Sequence, residues 1–126
     1  MITTSKVPSS AVNFDVVITA LNFHDVYNNG GRDAAVAMLE KVGAMLKPGG
    51  VVGIIDHAGN PGADNAALHR IDQASVVEAA EAAGFVVTGE SDVLRNANDD
   101  RTAAVFDASI RGNTDRFVLQ LQKSAE

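Results

Sequence analysis

The sequence predicts an α/β fold with the element order β-α-β-α-β-β. Two apolar runs, Phe14 to Leu21 and Val51 to Ile55, are short and rich in β-branched residues, which is typical of strands buried on both faces of a sheet. Between them, residues 32–46 place apolar side chains at helical spacing. Two parallel strands joined by a helix form a right-handed βαβ unit, so both strands end at the same edge of the sheet. Open α/β sheets bind their ligands at that edge.

The remaining elements follow from turn and capping signals. Lys47-Pro48-Gly49-Gly50 ends the first helix and predicts a turn into the second strand. Ser75 to Glu78 matches a capping box and predicts the start of a second helix, which Gly84 would end. Runs at residues 85–93 and 116–122 predict two more strands. Because no crossover helix of convincing length separates these last two strands, we expect them to pair antiparallel.

Length and composition indicate a single domain. The chain has 126 residues, of which 46% are hydrophobic and 21% charged, and we interpret residues 14–126 as one α/β domain after a polar leader or loop at 1–13. The net charge of -6 argues against a nucleic-acid or anionic membrane partner, since both attract basic surfaces. Without cysteine there is no disulfide and no thiolate chemistry. The apolar runs are too short to span a bilayer, and we expect a cytoplasmic protein.

Polar residues follow both predicted parallel strands. A histidine at such a strand end can act as a general base near neutral pH, which makes His24 the candidate base. The alternative is that the stretch around it is a polar loop whose side chains cap the next helix. At the second strand end, a carboxylate could orient a substrate or only satisfy loop amides. The residues concerned are Asn22, His24, Asp25 and Tyr27 after the first strand, and Asp56 and His57 after the second.

A third polar group, residues 69–72, precedes the second helix. Its position in a strand-to-helix loop would let His69 fold over the same edge of the sheet. Arg70 and Asp72 are also explained by a surface ion pair and a helix cap. We expect Asp99-Asp100-Arg101 to be a solvated loop. A convergence of the three histidines with a carboxylate has to be considered, but their spacing matches no compact ligand motif, so the sequence predicts no metal site.

Taken in order, these motifs resemble the second half of class I S-adenosylmethionine-dependent methyltransferases. A helix closed by Leu46 to Gly50 leads into a strand that ends in an acidic residue, and Ala82-Ala83-Gly84-Phe85 ends a helix and opens a strand. More narrowly, the chain is similar to a bacterial group of predicted methyltransferases of that class. The similarity covers nearly everything after Asn13, and its specific segments are Asn22-Phe23-His24-Asp25, Asp56-His57, and residues 69–72, 90–96 and 114–119.

The resemblance implies a partial Rossmann-like sheet and methyl transfer from S-adenosylmethionine to a small molecule. It also assigns roles to the residues at the sheet edge. Catalysis would fall to His24 and Asp25. The substrate would lie against Asn22, Tyr27, Asp56, His57 and His69, and the cofactor against Ala20, Leu21 and Asn22.

Two parts of the family pattern are missing from this sequence: the glycine-rich turn that cradles the methionine part of the cofactor, and the acidic residue that holds the ribose. The chain therefore looks like the C-terminal half of such a protein. The Phe14–Leu21 strand would then form an exposed apolar edge, and we expect a homodimer or a partner chain to cover it. Two hypotheses stay open: a methyl-transferring enzyme domain, and a non-catalytic fragment or interaction module that needs a partner for cofactor binding. Metal-assisted hydrolysis by the histidines is a third alternative.

Overall fold

The computed structural model describes residues 14–124, so the predicted leader at 1–13 lies outside the described residues. The predicted alternation of strands and helices is confirmed, with a short helix and a short strand added before the second long helix. In order the elements are β1 (Phe14–Ala20), α1 (Phe23–Met45), β2 (Leu46–Gly59), α2 (Asn65–Leu68), β3 (Ile71–Asp72), α3 (Gln73–Ala82), β4 (Phe85–Ser91) and β5 (Arg116–Lys123).

The strands form one sheet in the order β1-β2-β5-β4, with β3 paired to the end of β2. Strands β1 and β2 are parallel, whereas β5 runs antiparallel to both β2 and β4. The predicted antiparallel pairing of the last two strands is confirmed. In the parallel pair Ala20, the last residue of β1, lies beside Ile55, and residues 56–59 of β2 continue past it at the same edge of the sheet. This edge carries the predicted site.

Helices α1 and α3 pack together on one face of the sheet. Side chains that point to this face, such as Val17 on β1 and Ile54 on β2, are buried. On the opposite face of β1, Val16 and Ile18 are 49% and 48% exposed. The prediction that the strands are buried on both faces is therefore wrong for residues 14–124. In this part of the chain β1 is an edge strand, since its one partner is β2.

Helix α1 begins at Phe23 rather than at Arg32, so the alternative interpretation of residues 22–29 as a polar loop is wrong from Phe23 onward. Phe23 is completely buried and anchors the first turn in the core. The helix is interrupted at Gly31, whose backbone (φ 83°, ψ 179°) is not helical. Apolar spacing identified only the segment after this interruption, because the segment before it is held by tertiary contacts.

Two other local predictions need correction. The predicted turn at 47–50 lies inside β2: Phe14 pairs with Leu46 and Val16 with Val51, so the intervening residues bulge out of the ladder. Helix α3 is capped by Asp72, whose carboxylate accepts a hydrogen bond from the amide of Ala74, and not by the predicted capping box at Ser75. The predicted helix cap at Asp72 is thus confirmed.

Candidate functional site

The site is built where β1 and β2 end. The amide of Leu21 donates to the carbonyl oxygen of Ile55 at 2.8 Å, which holds the two strand ends together. Leu21 itself has a left-handed backbone (φ 58°), and the chain turns there from the strand into α1. This turn places the first residues of α1 directly over the end of β2.

Asp56, on β2 one residue beyond the last pair with β1, is the central acceptor of the site. Its side chain is completely buried, and its Oδ2 accepts from the backbone amide of His24 at 2.7 Å. Its Oδ1 lies 2.7 Å from Nδ1 of His24 and accepts from the amide of His57 at 2.8 Å. The residue at the N-cap position of α1, Asn22, makes no side-chain capping bond. A carboxylate from the neighbouring strand therefore caps this helix.

The contact with Asp56 sets the hydrogen positions on the His24 ring. Since an ionised carboxylate can only accept, Nδ1 of His24 carries the hydrogen of that bond. The second ring nitrogen, Nε2, lies 3.3 Å from Oδ1 of Asp25. Burial by itself lowers the pKa of His24, but the hydrogen bond and charge of Asp56, together with the charge of Asp25, outweigh burial and raise this pKa.

His69 joins the same group from the turn between α2 and β3. Its Nδ1 lies 3.9 Å from Oδ1 of Asp25, and its ring centroid lies 6.1 Å from that of His24. One ligand-type atom from each of His24, Asp25 and His69 lies within 4.8 Å of the other two. The His24 side chain is buried, whereas the other two side chains are about half exposed. The structure thus brings together the two predicted catalytic residues, His24 and Asp25, and the histidine predicted to fold over the edge.

The loop that carries His69 is held from both sides. The His69 ring packs edge-on against Phe106 at 4.9 Å between ring centroids. The carbonyl oxygen of the next residue, Arg70, accepts a hydrogen bond from the Asn28 side chain on α1. Neither Phe106 nor Asn28 was predicted as a site residue, because the sequence gives no signal that they contact this loop.

Arg70 is a buried anchor of this loop and not the predicted surface ion pair with Asp72. Its guanidinium is completely buried and donates to both carboxylate oxygens of Asp99, at 2.8 and 3.0 Å, and to the carbonyl oxygen of Ala58 at 3.0 Å. The predicted solvated loop is therefore wrong for Asp99, which is 7% exposed. Burial by itself raises the pKa of Asp99. The hydrogen bonds from Arg70 and from two backbone amides, together with the charge of Arg70, outweigh burial, so the pKa of Asp99 is lowered. The ion pair between Arg70 and Asp99 could not be predicted from the sequence, because the two residues are 29 positions apart in the chain.

His57 also lies at the strand end but faces a different partner. Its ring centroid is 5.6 Å from that of His24, and its Nδ1 is 2.6 Å from Oγ1 of Thr114. Arg116 donates to the same hydroxyl oxygen at 3.0 Å, so the hydroxyl hydrogen is free to donate to Nδ1 of His57. Burial, and the positive charges of Arg116, His24 and Arg70, lower the pKa of His57 to about 4 despite the opposing charge of Asp56. His57 is therefore a neutral side chain near pH 7.

The other predicted site residues lie at the edge of this group. Asn22 sits between β1 and α1, next to Leu21 and to Ala20, the last residue of β1. Tyr27 is partly buried against the core and lines a neighbouring cleft with Ile71.

Comparison with known proteins gives similarity in structure alone. No protein-family model matches the chain, and no curated protein matches it in sequence. A solved structure of 1,6-didemethyltoxoflavin-N1-methyltransferase from Burkholderia thailandensis, with its substrate and S-adenosylhomocysteine bound, has a TM-score of 0.64 and 18% identity and aligns with 97% of this chain. The TehB-like SAM-dependent methyltransferase from Corynebacterium glutamicum has a TM-score of 0.59, 17% identity and 95% coverage. The mitomycin 7-O-methyltransferase MmcR has a TM-score of 0.61, 12% identity and 98% coverage.

The chain spans only part of these structures: 48% of the toxoflavin enzyme, 53% of the TehB-like protein and 33% of MmcR. At such low identity the comparison establishes the fold. Among residues 14–124, no helix is long and apolar enough to cross a membrane. The chain is a mixed α/β domain with a partial sheet that resembles the Rossmann-like fold of S-adenosylmethionine-dependent methyltransferases, over a fragment of their length.

Proposed function

We propose that this chain forms the acceptor side of an S-adenosylmethionine-dependent methyl-transfer site that acts on a small molecule. The observation that carries the proposal is the buried His24–Asp56 pair at the carboxyl ends of two neighbouring parallel strands. Open α/β sheets bind ligands at this edge. Structures with the same fold include one with S-adenosylhomocysteine and a small-molecule substrate bound.

In this proposal, His24 accepts the proton that the methyl acceptor loses. Asp56 holds the ring and keeps the hydrogen on Nδ1, which leaves Nε2 as the proton acceptor. Asp25 adjoins Nε2 and stabilises the imidazolium that forms. Methyl transfer needs little else from the protein than alignment of the two reactants, because the reactive methyl group is carried by the cofactor.

The residues around the His24–Asp56 pair are proposed to line the binding sites for the cofactor and the substrate. Ala20, Leu21 and Asn22 lie where β1 ends and are proposed to contact the cofactor. On the substrate side we propose Asn22, Tyr27, Asp56, His57 and His69. A cytoplasmic location, inferred from composition, belongs to the same proposal.

Because this sequence has no glycine-rich turn after a strand, we propose that a second polypeptide segment, from a second copy of this chain or from another protein, completes the cofactor site. We propose that such a segment covers the β1 edge and the open face at Val16 and Ile18, where an unpaired strand and apolar side chains are exposed. The length of the toxoflavin enzyme supports this, since this chain spans about half of it. The alternative function is a non-catalytic fragment or interaction module that uses the same surface.

The test is calorimetric titration of the purified chain with S-adenosylmethionine, with light scattering to determine its mass. Saturable micromolar binding that is weakened by Asn22→Ala supports the methyl-transfer proposal. A folded chain that does not bind the cofactor supports the interaction module for the chain alone. If the chain is a stable dimer, a second copy covers the open face at Val16 and Ile18. If the chain is a monomer, a segment of different sequence covers that face.

A further inference from the structure

We propose that His24, Asp25 and His69 form a binding site for one divalent transition-metal cation of the zinc class. The ligand atoms are Nε2 of His24, a carboxylate oxygen of Asp25 and Nδ1 of His69. The inference rests on their geometry and does not depend on the proposed function.

The three atoms are spaced as ligands of one ion would be. Bonds of roughly 2.1 Å to a tetrahedral zinc ion separate any two ligand atoms by about 3.4 Å. Asp25 Oδ1 lies 3.3 Å from Nε2 of His24 and 3.9 Å from Nδ1 of His69. The whole group fits within 4.8 Å, so small side-chain rotations are enough to close it around an ion.

The electronic arrangement also suits a cation. Because Nδ1 of His24 donates to Asp56, Nε2 of the neutral ring keeps its lone pair, and this atom lies 3.3 Å from Oδ1 of Asp25. Two lone-pair-bearing atoms in such proximity need a positive charge between them, either a proton or a metal ion. Two imidazoles and one carboxylate, with a fourth position left open, are a donor set that zinc uses in catalytic sites.

Each imidazole is held by a contact outside the proposed site. Asp56 orients the His24 ring through Nδ1, which is the carboxylate–histidine arrangement found behind metal ligands. Phe106 packs on the His69 ring. His69 also keeps a left-handed backbone (φ 58°) at the end of α2, a conformation that favours glycine or asparagine. The half-exposed Asp25 and His69 side chains leave a path for an ion from solvent.

The cation and the proposed acid–base step use the same lone pair. With a metal ion on Nε2, His24 cannot accept a proton, so metal binding and proton transfer by His24 are mutually exclusive. This separates the two proposals experimentally, because binding of a metal ion is measured without cofactor or substrate.

The experiment is calorimetric titration of the chain, purified without a histidine tag, with ZnCl₂. A parallel titration with CoCl₂ follows the visible absorption of bound Co²⁺. We expect one ion per chain with micromolar or tighter affinity. Asp25→Asn and His69→Ala, both at half-exposed positions that the fold tolerates, should each weaken binding at least about ten-fold. Circular dichroism verifies that these variants are folded.

The matched control is Asp33→Asn, which removes a carboxylate from a side chain that is 98% exposed on the same helix. We expect it to bind zinc like the unchanged chain. The proposal is overturned if the folded chain does not bind Zn²⁺, which would make the cluster a protonated ion pair. It is equally overturned if Asp25→Asn and His69→Ala both bind with unchanged affinity, because the ion would then lie elsewhere.

Discussion

His24 and Asp56 are joined by two hydrogen bonds, each 2.7 Å long, one from the backbone amide of His24 and one from its Nδ1. The two residues are 32 positions apart in the chain. One buried carboxylate on β2 therefore caps the start of α1 and orients the ring at the candidate site. Stability and site geometry depend on the same side chain, and each can be measured separately.

Replacing Asp56 with asparagine should lower the free energy of unfolding by about 2–3 kcal/mol, because buried hydrogen bonds to a charged group are lost. An asparagine has a single acceptor oxygen for the three donors that Asp56 now serves. Urea denaturation followed by circular dichroism measures the change. Asp33→Asn, at an exposed position, should stay within about 0.5 kcal/mol of the unchanged chain. Equal stability of the two variants would contradict the capping role of Asp56.

The Arg70–Asp99 pair predicts a pH-dependent stability difference. Asp99→Asn leaves a buried guanidinium without its counter-charge, which should cost about 3 kcal/mol at neutral pH. The folded-state pKa of Asp99 is lower than in the unfolded chain. The contribution of this carboxylate is therefore complete above the unfolded pKa and is lost as pH falls through the folded one.

We therefore expect the difference in unfolding free energy between the unchanged chain and Asp99→Asn to be constant near neutral pH and to shrink below about pH 4. Denaturation curves at several pH values measure it. A difference that grows on acidification would show that the sign of the pKa shift is wrong. Asp33→Asn again serves as the exposed control.

Thr114→Val tests the hydrogen bond between the Thr114 hydroxyl and Nδ1 of the buried His57 ring. Valine has the same shape as threonine but cannot donate to Nδ1 of His57 or accept from Arg116. Both His57 and Thr114 are buried, so we expect a loss of about 1–2 kcal/mol of unfolding free energy. Thr88→Val, at an exposed position on β4, should change it by less than about 0.5 kcal/mol. Similar losses in both variants would mean that the Thr114 hydroxyl has no special role.

Gly31→Ala tests the interruption of α1. An added Cβ at Gly31 would touch no atom within 4 Å, so any cost comes from the backbone conformation alone. The combination φ 83° and ψ 179° is available essentially to glycine, and alanine there should cost about 1–3 kcal/mol.

The control for this variant is Gly53→Ala on β2, where a Cβ would meet only the Ile18 side chain at an ordinary 3.5 Å. We expect Gly53→Ala to be neutral or stabilising by up to about 1 kcal/mol, since alanine loses less backbone entropy than glycine in a strand. Thermal denaturation compares the two variants. A harmless Gly31→Ala would mean that α1 can run through this position without a break.

The local sequence pattern was sufficient to predict an element wherever that element depends on residues close together in the chain. The β-branched runs of β1 and β2 and the Gly84 stop after α3 were all visible in the sequence, because each depends on neighbouring residues. The start of α1 was not, since its N-terminal amides are satisfied by Asp56 from another strand. Asp99 looked solvated for the same reason: its partner Arg70 is 29 positions away.

The sequence by itself determined the order of strands and helices and the sheet edge at which His24, Asp56 and His57 lie, because parallel strands joined by a helix must end on the same side. Only the tertiary structure decided which of these residues face one another. In the tertiary structure His24 lies beside Asp25 and His69, and His57 contacts the Thr114 hydroxyl. Arg70 is buried and forms an ion pair with Asp99. The physical reason is that hydrogen bonds and charge pairs act over a few ångströms in space, whereas the sequence records only separation along the chain.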